Sequence, residues 1–114
     1  MVRYVHWSIT TPIFLLAGRV TANGEAMAQV RDPARAAMVG DSDALAAHID
    51  AMIAQSLADV LAGMEPSAEQ LIGLRDDIAS TTLVSANLKL APHGVALLDL
   101  TIAEMGIKSM VPGQ

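Results

Sequence analysis

Three histidines, His6, His48 and His93, are the side chains in this sequence best suited to moving a proton or holding a metal. None has a second ligand three or four residues away, the spacing that puts two donors on one helix face. His48 flanks the apolar stripe of a helix and reads as a boundary residue with its tip in water. Asp59 lies on the same flank but about 16 Å further along the axis, so the two side chains do not meet. Asp76-Asp77 is an acidic pair inside a helix, where adjacent residues point about 100° apart, so it reads as a solvated face rather than an acid/base couple. The chain has no cysteine and no G-x-S-x-G, G-x-x-x-x-G-K-[ST] or G-x-G-x-x-G segment, which leaves thiol chemistry, nucleophile elbows and phosphate loops without support. No catalytic, cofactor-binding or metal-binding residue and no cofactor is therefore assigned, and any catalysis would have to be built from scattered residues.

The elements that would position these residues follow from periodicity. Residues 2–9 are rich in β-branched and aromatic types and read as a strand, which Thr10-Thr11-Pro12 breaks. From Arg19 to Val30, Val20, Ala22, Gly24, Ala26, Ala28 and Val30 alternate with mostly polar residues, the period of a strand with one buried face. Asn23-Gly24 inside it is also a hairpin signal, so one long strand competes with two short ones, and the long strand is favoured. Asp32-Pro33 is a helix start, and a short helix is expected over Pro33–Val39, ended by Gly40. Asp41-Ser42-Asp43 caps a long amphipathic helix carrying Leu45, Ile49, Met52, Ile53, Leu57, Val60 and Met64, ending near Gly63. The capping box Ser67-Ala68-Glu69-Gln70 opens a second long helix with Leu71, Leu74 and Ile78 on its apolar face, and the β-branched run Thr81–Val84 lowers helix propensity enough to leave room for a kink. Pro92-His93-Gly94 stops that helix. A last strand, Val95–Ile102, is expected to turn Leu98, Leu100 and Ile102 to one face and Leu97, Asp99 and Thr101 to the other. Pro112-Gly113 closes the domain.

The predicted fold is α+β: a mostly antiparallel sheet of about three to four strands, covered on one face by two long helices and one short helix, in a single domain over 1–114. At 114 residues and 53% hydrophobic content the chain can build such a core without staples and is too apolar for disorder. Aromatic residues are confined to Tyr4, Trp7 and Phe14, so aliphatic side chains and 20 alanines must fill the rest. Residues 1–36 carry a net charge of +2 and the remainder −7. A mostly acidic surface with four scattered arginines makes no nucleic-acid footprint. No run of about 18 apolar residues reads as a membrane span, and no secretory signal pattern opens the chain, so a cytoplasmic protein is expected.

Three stretches, taken in order, resemble the SPFH or band 7 domain of the stomatin, prohibitin and flotillin superfamily. They are the alternating strand ending in Val30-Arg31-Asp32-Pro33, the pair Leu57-Ala58-Asp59-Val60-Leu61 and Leu74-Arg75-Asp76-Asp77-Ile78, and the run from Gly94 to Met105. Trp7 and Thr11-Pro12-Ile13 ahead of the alternating strand are similar to the family's soluble bacterial branch. The resemblance covers about residues 10–106 and implies a partial domain lacking the membrane anchor and the C-terminal coiled coil of many members.

What the resemblance implies is a non-enzymatic, self-associating scaffold that organises a membrane-associated or multi-protein assembly. Its partners would be further copies of itself and other proteins, not nucleic acid. Membrane contact would be weak or indirect at the inner face, since Arg3, Arg19, Arg31 and Arg35 contribute only about 1 kcal/mol each near anionic lipid. The expected contact surfaces are sheet edges, at the Arg19–Val30 strand and the last strand. The competing reading is a small α+β enzyme or ligand-binding domain with a site between sheet and helices, using His6, His93 or Asp99 as its polar handle.

Overall fold

A computed structural model describes residues 2–9, 13–16 and 18–108, with the side chain of Ala68 excepted; Thr10-Thr11-Pro12 and Pro112-Gly113 lie outside the described residues. The fold is α+β, a four-stranded antiparallel sheet with helices on one face. The strands are β1 (Val2–Ser8), β2 (Ile13–Leu15), β3 (Gly18–Val30) and β4 (Val95–Lys108). Between β3 and β4 run α1 (Pro33–Val39), α2 (Ser42–Met64), α3 (Ala68–Gly73), α4 (Arg75–Leu90) and a 3₁₀ turn over Ala91–His93.

β3 is the axis of the sheet. β1 pairs with its second half, Val2 opposite Gln29 and Ser8 opposite Asn23, and β2 pairs with its start. β4 pairs along nearly its whole length on the other side, from Arg19 opposite Lys108 to Val30 opposite Val95. The expected edge at Arg19–Val30 is thereby corrected: this strand has partners on both sides, and the outer strands are β1 and β4. The long strand is continuous through Asn23-Gly24, with Val20, Ala22, Ala26 and Ala28 buried and Thr21 and Glu25 exposed. The hairpin signal is overridden because Gly24 lies opposite Trp7, and a Cβ there would overlap the Trp7 ring and the Thr101 carbonyl. Trp7 is buried, and its Nε1 donates to the Glu25 carbonyl at 3.3 Å.

β4 departs from the alternation expected of it. The register slips once between Met27 and Ala28 and again between Asn23 and Gly24, leaving Leu98 and Ala103 without opposite numbers. Each extra residue reverses the phase of the side chains. Leu97, Leu100 and Ile102 therefore all face the core, while Leu98 is 43% exposed. β2 was not anticipated, since three residues are too few for a period-two pattern.

α1 and α2 begin at Asp32 and Asp41, whose carboxylates accept from the backbone N–H groups of Arg35 and Ala44. On α2, Leu45, Ile49, Ile53, Leu57 and Leu61 are buried at four-residue steps, each contributing about 1.5–3 kcal/mol by leaving water. Leu61 takes the core place expected for Met64, which is 42% exposed. By length and composition alone this 23-residue helix could cross a bilayer, with a mean hydropathy of 1.3 in its most apolar window. Its buried stripe is occupied by the sheet and α4.

The capping box forms as expected, Ser67 Oγ accepting from Gln70 N–H and Gln70 Oε1 accepting from Ser67 N–H. The second long helix breaks at Gly73-Leu74, not at Thr81–Val84. Glycine lowers helix stability where the chain bends, and Leu74 adopts φ −104°, ψ 10° between the two pieces. Thr82 is fully buried, so packing holds the β-branched run in helix against its propensity.

Candidate functional site

The candidate site lies where α1, the start of α2 and the 3₁₀ turn converge at one end of the sheet. Contacts show how the chain builds it. Asp59 on α2 bonds Lys89 on α4 at 3.1 Å, and His48, earlier on α2, meets His93, later than Lys89. The two long helices are thus antiparallel, which returns the end of α4 to the start of α2. Pro92 and Gly94 then fix the turn that carries His93. Gly94 has φ 72°, in the left-handed region, and its carbonyl accepts from Arg31 N–H at 2.7 Å and Asp32 N–H at 3.1 Å. A Cβ at Gly94 would strike Asp32 and Arg35, so glycine lets the turn seat against the start of α1.

The rings of His48 and His93 stand 4.6 Å apart between centroids, edge to face at 81°. His48 is half-buried, and its Nε2 is withdrawn from water with no hydrogen-bond partner among the described residues. Burial lowers the His48 pKa from its usual value, and the neighbouring charge of His93 lowers it further. At neutral pH the ring is uncharged, with a nitrogen lone pair to offer. The pair borders an open cleft of about 600 Å³ shared with Arg35, Met38, Val39 and Pro92.

Arg35 also lines a second cleft of about 430 Å³, with Arg31, Asp32, Asn87 and Gly94. Its guanidinium is engaged by Asp32 at 3.3 Å. Asn87 uses its whole amide on the backbone of β4: Oδ1 accepts from Leu97 N–H at 2.6 Å and Nδ2 donates to the Leu97 carbonyl at 3.1 Å. That side chain stands in for one residue of an additional strand at the outer edge of β4.

The remaining sequence candidates stay apart. His6 is exposed on the uncovered sheet face, 3.5 Å from Glu25. Asp99 lines a shallow depression on that face with Tyr4, Glu25, Met27 and Thr101, far from His93, so His6, His93 and Asp99 do not form one polar site. Asp76 and Asp77 are exposed in the first turn of α4, as expected of a solvated face. His48 departs from its expected place with its tip in water, because the turn folds over it. Among the described residues no three His, Cys, Asp or Glu side chains cluster as metal ligands. Helical spacing does not bring His48 and His93 together; antiparallel packing of the two long helices does, and that packing is the signal in the sequence for the contact. Compared with known proteins, the chain matches no family model and no curated sequence.

Proposed function

We propose that this chain is a non-enzymatic scaffold domain of the SPFH or band 7 type that self-associates, in the cytoplasm or against the inner face of a membrane. The order of elements supports the resemblance. The Val-Arg-Asp-Pro segment sits at the β3-to-α1 corner with Asp32 as the helix cap, and the Gly94–Met105 run forms the corner and most of β4.

The observation that carries self-association is the outer edge of β4. Asn87 closes that edge at Leu97, and beyond it no strand pairs there among the described residues. A strand with free backbone groups invites another strand, and a second copy of the same edge satisfies both by two-fold symmetry. β1 is the poorer edge, because Asp50 accepts from Ser8 N–H at 3.1 Å and blocks its end.

Light scattering coupled to size exclusion, over a wide range of chain concentration, tests the reading. The expected result is a mass that rises with concentration in whole multiples of the chain, with hydrogen exchange slowing in β4 over the same range. A strict monomer at high concentration would sink it.

A further inference from the structure

The geometry points to a copper(II) site at His48 and His93, with both imidazoles as ligands and water completing the coordination. The two rings come from different elements, each fixed by its own constraint: His48 by the packing of α2, His93 by Pro92 and the left-handed Gly94 behind it. Their separation is informative. With a metal–nitrogen bond of about 2.0 Å and about 1.1 Å from nitrogen to ring centre, each centroid stands roughly 3.1–3.2 Å from a bound ion. Centroids 4.6 Å apart are near enough for one ion to bridge both rings. Two imidazoles completed by water suit copper(II), which binds such nitrogen donors most tightly in the divalent series.

The unpartnered, buried Nε2 of His48 is the second observation. A buried ring nitrogen without a hydrogen bond is costly, and a metal bond satisfies it. In the metal-free geometry the rings meet edge to face, so one ring must turn about its Cβ–Cγ bond to aim its nitrogen at the shared point. The open cleft beside them gives it room and admits the waters. Arg35 on the cleft wall opposes a cation, but its charge is engaged by Asp32 at 3.3 Å.

The site is independent of the scaffold reading, and its test needs no assembly. The full chain, purified without a histidine tag, is titrated with copper(II) and followed by calorimetry and electron paramagnetic resonance. The expected result is one ion per chain, a tetragonal spectrum with coupling to two nitrogens, and weaker binding of zinc. His93→Gln should weaken binding at least about tenfold, as should His48→Gln, while His6→Gln leaves it unchanged. Because His93 is only half-buried in a turn, its variant retains the fold, which circular dichroism checks. Copper binding that survives His93→Gln undiminished, that disappears in His6→Gln, or that is absent from the unaltered chain would overturn the assignment.

Discussion

His48 is the residue where packing and ionisation are most directly opposed. Half-buried beneath His93, it is easier to protonate in the unfolded chain than in the folded one, because burial first and the His93 charge second penalise its cation. Arg35, facing the same cleft, adds no acceptor for the proton. The sign follows by linkage. Above the usual histidine pKa of about 6.5 the ring is neutral in both states and its contribution to stability is intact; as pH falls below that value the unfolded state takes up the proton first and stability drops, until pH passes below the lowered folded pKa. Urea midpoints of the metal-free protein, measured in chelator from pH 7.5 to 5, should therefore fall more steeply for the unaltered chain than for His48→Gln. Parallel curves would show that the pair carries no such cost. None of this was readable from the sequence around His48, whose partner lies on the far side of two helices and a turn.

Among the elements, β3 shows most clearly where local signals hold and where they yield. Its alternation of small apolar and polar residues is the two-faced strand expected. Asn23-Gly24 looks like a turn only until Trp7 is placed across from it, for the missing side chain is what admits the indole and the Thr101 carbonyl. Gly24→Ala should accordingly cost about 2 kcal/mol or more, by forcing the backbones of β3 and β4 apart, and lower the thermal midpoint. An unchanged midpoint would mean that the contact relaxes freely. Helix starts at Asp32, Asp41 and Ser67 were legible because capping is local chemistry between a side chain and backbone donors two or three residues away. The two bulges of β4 and the break at Leu74 were not, since each depends on what lies across the sheet or beneath the helix. The candidate site was less legible still: its residues could be named, but their meeting depends on tertiary packing alone.

At the scale of the whole molecule, the shape follows from the strands. The chain measures 51 × 23 × 21 Å, long in one direction because strands of 13 and 14 residues, at about 3.3 Å per residue, run beside each other. β3 and β4 pair from Arg19 opposite Lys108 to Val30 opposite Val95, so the sheet is held across the greatest separation in the sequence among its strands. A chain ending at Gly94 should lose the sheet and not only its last strand, forming aggregates that bind a dye for exposed apolar surface. A soluble, protease-resistant fragment of that length would show that β1, β2 and the helices suffice.

The same pairing sets an order in time. β3 leaves the ribosome long before β4, several seconds earlier at about 5–20 residues per second. Through that interval the finished helices must wait beside a strand with one side unmatched, and the nascent chain is open to any neighbour offering an edge, including the next chain on the same message.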